Sequence, residues 1–273
     1  MAKQLSFLFL ILFLSKAHSQ NFQPFSENHN RLVQGISFSP DLKKMYCTLP
    51  HNERLIAMGK TVNDKMARLA IYESNLNSNG TWSEPKLFSF SGEFKDYEPT
   101  ILPDGETLLF NSRRPLKNDI VESKNNIWMS KLKHGVWQEP QSLSKLNTSE
   151  LEESYATVSA SSKLIYCKEV IVNGKSQYHL FETTFKGADT AVGNRIVFPE
   201  FDKETADPHI SKEGNYLIFT GFDPLDWNGT CDLYISFNKN GSWSTPNALA
   251  ELNSSRPDFA PFVSADNSQI FYQ

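Results

Sequence analysis

Pro99-Thr-Ile-Leu-Pro103-Asp-Gly-Glu-Thr-Leu-Leu-Phe110 reads as a short strand, a Pro-Asp-Gly turn and a second strand of aliphatic and aromatic residues. Turn chemistry flanked by residues that suit pleated backbone marks a β-hairpin. Four other stretches align with it without gaps. They are Ile36-Ser-Phe-Ser-Pro40-Asp-Leu-Lys-Lys-Met-Tyr-Cys47, Ala156-Thr-Val-Ser-Ala160-Ser-Ser-Lys-Leu-Ile-Tyr-Cys167, Pro208-His-Ile-Ser-Lys212-Glu-Gly-Asn-Tyr-Leu-Ile-Phe219 and Pro261-Phe-Val-Ser-Ala265-Asp-Asn-Ser-Gln-Ile-Phe-Tyr272. Pro40, Pro103, Ala160, Lys212 and Ala265 are equivalent, and the spacings between them are 63, 57, 52 and 53 residues.

A second motif lies between the hairpins. Ile71-Tyr72-Glu-Ser leads to Asn79-Gly80-Thr-Trp82-Ser-Glu-Pro85, Ile127-Trp128-Met-Ser to His134-Gly135-Val-Trp137-Gln-Glu-Pro140, and Leu233-Tyr234-Ile-Ser to Asn240-Gly241-Ser-Trp243-Ser-Thr-Pro246. Each is strand, tight turn and strand, with proline closing the last strand where no ladder donor is needed. The third repeat keeps strands at Tyr178 to Thr184 and Arg195 to Phe198 without the Trp and Pro. Four short strands per repeat predict an all-β fold, a β-propeller of four-stranded blades. A four-stranded blade is apolar on both faces and must stack on neighbours, which closing the ring accomplishes. A β-sandwich does not explain a gapless hairpin found five times.

The fifth repeat stops at Gln273, one residue past its second strand. The expectation is five blades with the last incomplete in a C-terminally truncated chain. Phe22 to Val33 is available as one closing strand, and six blades are possible if residues 20–35 and a further tail make another.

The chain has 273 residues, 39% hydrophobic, 21% charged and 12% aromatic, with a formal net charge of −4. That is enough apolar mass for a sizeable core, and the mildly acidic balance without a basic stripe excludes an electrostatic nucleic-acid binder. Three cysteines with no CxxC pair leave no disulfide framework and no structural zinc. Lys3, the apolar run Leu5 to Leu14 and Ala17-His18-Ser19 read as a signal peptide, residues 1–19, with the propeller over 20–273. No later stretch is long enough to span a bilayer, so the mature protein is expected to be exported, periplasmic or extracellular, with no transmembrane segment.

Ser39-Pro40-Asp41 and Leu102-Pro103-Asp104-Gly105-Glu106, with the strand that ends in Tyr or Phe, resemble the TolB-like, WD-repeat-like family of exported bacterial propellers. The Asn-Gly-x-Trp-Ser-x-Pro element and Asp232-Leu233-Tyr234-Ile235-Ser236 add to the resemblance, as in Bacteroidetes-like members. It covers about residues 30–273. It implies a propeller that binds a protein or envelope component, and it carries no specific chemistry.

The candidate binding residues are acids that recur before the hairpins: Asp96, Glu98, Glu152, Glu153, Glu204, Asp207 and Asp258. On inner strands they converge on one mouth of the channel, where paired carboxylates bind a cation or act in glycoside chemistry. Recurrence in every blade favours the other reading, in which each caps its own loop through backbone N–H groups. His209 follows Pro208 on an inner strand and joins the candidates, as does Trp227 in the turn-rich loop Asp223-Pro-Leu-Asp-Trp227-Asn-Gly229. Trp82, Trp137 and Trp243 hold a repeated position and read as packing residues. Trp128 and Trp227 fall outside that register. Cys47 and Cys167 read as small apolar fillers at strand ends, Cys231 as the start of an outer strand, and Arg113-Arg114 as a solvated turn. The Asn-x-Ser/Thr matches at Asn79, Asn147, Asn228, Asn240 and Asn253 read as turns. No nucleophile motif, Walker loop or dinucleotide turn is present. The expected function is therefore non-catalytic binding of a protein, envelope or glycan partner through rim loops, with no cofactor. The alternative is an extracytoplasmic glycoside hydrolase or lyase that uses carboxylates at the channel mouth.

Overall fold

The computed structural model describes residues 34–51, 69–116, 122–223 and 231–273. The leader, the candidate closing strand Phe22 to Val33 and the loop with Trp227 lie outside the described residues. Blade 1 is β1 (Gln34–Phe38), β2 (Lys44–Pro50), β3 (Leu69–Asn75) and β4 (Lys86–Leu87), paired antiparallel in chain order. Blade 2 is β5 (Asp96–Ile101), β6 (Thr107–Ser112) and β7 (Asn126–Lys133), with an outer strand in two pieces, β8 (Val136–Trp137) and β9 (Gln141–Ser142). Blade 3 is β10 (Glu153–Val158), β11 (Lys163–Val172), β12 (Lys175–Thr184) and β13 (Asn194–Arg195). Blade 4 is β14 (Glu204–Ile210), β15 (Tyr216–Phe222) and β16 (Cys231–Lys239), again with a split outer strand, β17 (Ser242–Trp243) and β18 (Asn247–Ala248). A fifth unit contributes the hairpin β19 (Phe262–Val263) and β20 (Ile270–Phe271). The fold is the expected propeller: four complete blades and a two-stranded fifth unit. Each gapless hairpin of the sequence is the inner pair of one blade.

Strand alternation makes every blade two-faced. On β6, Leu108 and Phe110 join Tyr46 and Ile71 of blade 1, while Leu109 joins Leu164 and Tyr166 of blade 3. Phe38 of blade 1 meets Phe262 and Phe271 of the fifth unit, with ring centroids 5.9 and 4.9 Å apart. On the other side Val263 packs with Tyr216 and Ile218 of blade 4. The fifth unit therefore closes the ring between blades 4 and 1.

The repeated tryptophans sit in these seams. Trp82 lies 5.6 Å from Phe38, Trp137 stands edge-on to Tyr46 at 6.1 Å, and Trp243 packs into the seam between blades 3 and 4 while its indole donates to Glu182 (3.1 Å). Trp128 is in register after all. It pairs with Phe110 as Tyr72 pairs with Cys47 and Tyr234 with Phe219, so it fills the aromatic position of a third strand. The Ser of each third strand has a purpose that spacing alone did not reveal. Ser74, Ser130 and Ser236 donate to the carbonyls of Ser83, Gln138 and Ser244, at 2.5, 2.5 and 2.7 Å, where the outer strand breaks. Cys47 and Cys167 are buried free thiols on second strands, and Cys231 opens the third strand of its blade rather than an outer one. Asn147 and Asn253 do more than turn the chain: each side chain bonds both the N–H and the C=O of a third-strand residue, Ile127 or Leu233.

Candidate functional site: the axial channel and its upper mouth

Every inner strand opens with the same irregularity. Gly35, Glu98, Tyr155, Asp207 and Ala260, the residues just before the five hairpin copies, have left-handed backbone with φ of 50°, 50°, 55°, 45° and 52°. In the four complete blades the ladder register slips at this point, which is a β-bulge. Left-handed backbone costs a non-glycine residue about 1–3 kcal/mol and persists where neighbours over-determine it. Here the preceding blade captures the bulge: the N–H of Glu98 donates to Thr48 Oγ1 and that of Tyr155 to Asn111 Oδ1, both at 2.8 Å.

All five bulge residues line one narrow axial cavity of about 50 Å³, together with Pro99, Pro208 and Pro261. A second cavity of about 70 Å³ shares Thr100, Thr157, His209 and Phe262 with it and ends among the hairpin turns at Pro40, Pro103 and Lys212. The two form a channel along the axis. Its upper mouth lies where the inner strands begin, and its lower mouth lies at the hairpin turns.

The candidate acids divide by their offset from the hairpin. Asp96 is fully buried and accepts from Ser91 Oγ (2.8 Å), Ser112 Oγ (2.6 Å) and the Arg114 guanidinium (2.8 Å). Burial pushes its carboxyl up to about 6, against the pull of Arg114 and the two hydroxyls. Arg114 itself is 8% exposed, stands over the rings of Phe94, Phe110 and Phe90, and donates to the Phe90 carbonyl (2.6 Å). The expectation of a solvated Arg113-Arg114 turn is thus wrong for Arg114, because Asp96 supplies the counter-charge that lets it enter the core. Arg113 donates to Asn125 (3.1 Å). Glu153 accepts from the Thr148 amide (2.8 Å) and pairs with Lys168, and Asp258 accepts from the Ser254 amide (2.6 Å). Glu204 accepts from the Tyr178 amide at 2.9 Å. Asp96, Glu153 and Asp258 therefore tie down the loops that lead into their own blades.

Glu98 and Asp207 are different: both line the cavity. Burial pushes both carboxyls up, and the charge of Asp207 raises Glu98 further. A Cβ on Gly35 would stand 2.7 Å from the Cα of Glu98, so glycine is what lets blade 1 approach that closely. His209 occupies the inner-strand place held by Ser37, Thr100 and Thr157 elsewhere. Ser37 accepts the Ile101 amide (3.0 Å), Thr157 the Ile210 amide (3.4 Å) and His209 Nε2 the Val263 amide (3.4 Å). Burial lowers the His209 pKa to about 4, in keeping with a neutral ring that accepts at Nε2. It links blade 4 to the fifth unit.

Apart from Glu152, sequence reasoning did not single out the aromatic and charged groups around the upper mouth. Tyr97 and Tyr155 meet edge-on at 6.3 Å, and the Lys95 ammonium lies 4.6 Å over Tyr97. Glu152 accepts from Asn125 Nδ2 (2.8 Å), and its amide donates to Glu169 (3.0 Å), which also holds Lys124 (2.7 Å). Beside this network lies the hairpin β11–β12, whose strands, at 10 residues each, are the longest among the described residues. It turns at Asn173-Gly174, whose φ values of 51° and 74° are those of a type I′ turn. Ile171 and Val172 at its tip are exposed. Asn173-Gly174 is a hairpin signal in the one repeat that lacks the Trp and Pro. Among the described residues, no group of three or more His, Cys, Asp or Glu side chains is placed to hold a metal ion, and no helix is long and apolar enough to cross a membrane.

No known family model matches the chain, and no curated protein matches it. Solved structures do. A provisionally named TolB from Agrobacterium tumefaciens is 12% identical over 89% of this chain and 90% of its own, with a TM-score of 0.47. A puromycin-hydrolyzing peptidase of Mycobacterium tuberculosis is 14% identical (TM-score 0.45), over 80% of this chain and 28% of its own. Prolyl oligopeptidase B of Galerina marginata is 10% identical (TM-score 0.48), over 82% of this chain and 27% of its own. The chain thus spans under a third of the two peptidases it matches. All three are 14% identical or less, with TM-scores below 0.5.

Proposed function

We propose that this is a non-catalytic propeller that is exported and binds a protein or cell-envelope partner through loops of its upper rim. The observation that carries the reading is the occupation of the acids. Asp96, Glu153 and Asp258 are committed to their own loops, and the two carboxyls that remain in the channel share a cavity of about 50 Å³. Sites that take small organic substrates are several times larger, at about 300–1,000 Å³. Recognition is left to the rim, where blade 3 raises Ile171 and Val172 beside the charged network of Lys124, Glu152 and Glu169. Export rests on the signal-like residues 1–19, and amino-terminal sequencing of the secreted chain checks it.

The test is site-specific photo-crosslinking in envelope fractions, with the photoreactive residue at Ile171 on the upper rim or at Val136 on the lower one. A discrete adduct from Ile171 and none from Val136 supports the reading. The glycosidase alternative rests on the two carboxyls from different blades. Turnover of aryl glycosides by the pure protein, abolished in Glu98→Gln, would establish that alternative and refute ours.

A further inference from the structure

Glu98 and Asp207 sit on equivalent bulges of blades 2 and 4 and line the same axial cavity. The wall around them mixes apolar and polar groups, with Thr100, Tyr155, Thr157 and His209 among the latter. Pro99, Pro208 and Pro261 follow the bulges and carry no amide hydrogen, while Gly35, Ile36, Ala260 and Phe262 are apolar. Asp207 accepts from Thr220 Oγ1 at 3.2 Å and from the Ala260 amide. Among the described residues no hydrogen bond reaches the Glu98 carboxyl.

We propose that Glu98 and Asp207 form a two-carboxyl latch across the axial channel, closed while at least one of them is protonated and loosened when both are ionised. Both side chains are half-buried, and two carboxylates in one narrow space cannot both ionise without repulsion. The bulges that carry them are where that repulsion is felt, since each is strained backbone held by neighbours. This inference does not depend on who the partner is, although the loosened element is the mouth beside the proposed binding rim.

Among its described residues blade 1 presents Gly35, Ile36 and Thr48, none of them titratable. Blade 2 adds Lys95, which favours ionised Glu98, and the buried phenol of Tyr97. Blade 3 adds Glu152, which opposes it, and Tyr155, whose phenol burial holds neutral. Blade 4 adds His209, neutral above about 4, and the Cys231 thiol, pushed up by burial and by Asp207. The fifth unit contributes only the Ala260 amide. Among the described residues Lys95 is the cation that acts on Glu98, while Arg113 acts on Tyr97. The carboxyls bind protons more tightly in the folded ring than in the unfolded chain. Their contribution is therefore complete below the unfolded values and is lost as pH rises through the folded ones.

The test uses the full chain with ¹³C-labelled Glu and Asp side chains, the Glu98 signal being assigned through Glu98→Gln. Glu98 is expected to titrate above the ordinary glutamate range and to move down by about one unit, tenfold in its equilibrium constant, in Asp207→Asn. Amide-exchange protection of residues 96–101 and 204–210, corrected for intrinsic rates, is expected to fall about tenfold as pH rises through that midpoint, and to stay flat in Glu98→Gln. Glu98 titrating at or below its usual value, a midpoint unmoved by Asp207→Asn, or a protection loss that survives Glu98→Gln would each overturn the latch. If either variant fails to fold, the native titration decides. Mutually dependent two-step curves support the pair, and two independent single steps refute it.

Discussion

Replacing Asp96 by asparagine separates a structural carboxylate from a working one by the sign of its effect. The side chain keeps its shape, and its amide oxygen still accepts from Ser112 or Ser91. What is lost is the charge opposite Arg114, whose guanidinium lies 2.8 Å away, 8% exposed and ringed by Phe90, Phe94 and Phe110. Breaking a buried pair by removing one partner costs about 3–5 kcal/mol, because the orphaned charge stays in the core. For a chain of this size each kcal/mol lowers Tm by about 2–4 °C, so Asp96→Asn is expected to melt roughly 6–20 °C earlier. Scanning calorimetry with a urea titration at the same pH measures it. Asp96→Asn/Arg114→Met, which removes both charges, is expected to recover most of the loss. Crosslinking from Ile171 below the lowered Tm is expected to be unchanged. Residues kept for function commonly cost stability, so a free acid becomes neutral or stabilising when removed. An Asp96→Asn protein as stable as its parent would refute the assignment and return Asp96 to the list of working groups.

Ser236→Ala removes the bond to the Ser244 carbonyl at the break in the outer strand and is expected to cost about 1 kcal/mol by urea denaturation; no change would mean that the break holds itself. Gly35→Ala tests the approach of blade 1 to Glu98. The left-handed backbone (φ 50°) alone costs an alanine about 1–3 kcal/mol and the clash with Glu98 adds to it, so a total cost near zero rules that contact out. His209→Gln addresses pH. The folded imidazole titrates near 4, below its unfolded value of about 6.5, so the unfolded chain binds the proton first and stability falls as pH drops through that window. The variant is expected to flatten this part of the pH–stability curve, opposite in sign to the effect of the Glu98–Asp207 pair. An unaltered curve would place the ring outside the buried cavity.

The architecture was legible because a repeat states the same physical requirement several times. Pro99 to Phe110 alone is one hairpin among many possible; four aligned copies fix its period, and the period has few architectural solutions. Trp82, Trp137 and Trp243 were correctly read as packing residues for the same reason. What escaped was information carried between blades. Arg114 looked like a solvated turn because its counter-charge, Asp96, lies 18 positions earlier, and only the pairing of β5 with β6 brings the two together. Ser236 looked like an ordinary strand residue because its acceptor is a break in another strand.

The acids show where reading by motif stops. Taken together they read as one recurring class of loop-capping acids. Counted from the hairpin they are two classes. Asp96, Glu153 and Asp258 stand three residues before Pro99, Ala156 and Pro261, and they bond the loops behind them. Glu98 and Asp207 stand one residue before Pro99 and Pro208, where the other blades have Gly35, Tyr155 and Ala260. Backbone geometry at that second position is the same in all five units, so the fold does not choose among Gly, Glu, Tyr, Asp and Ala there. A position that every blade builds alike yet fills differently is free to serve the ring as a whole rather than the blade. In this propeller that position faces the axis, and the chain has spent two of its five places there on carboxyls that burial and mutual repulsion make costly to ionise.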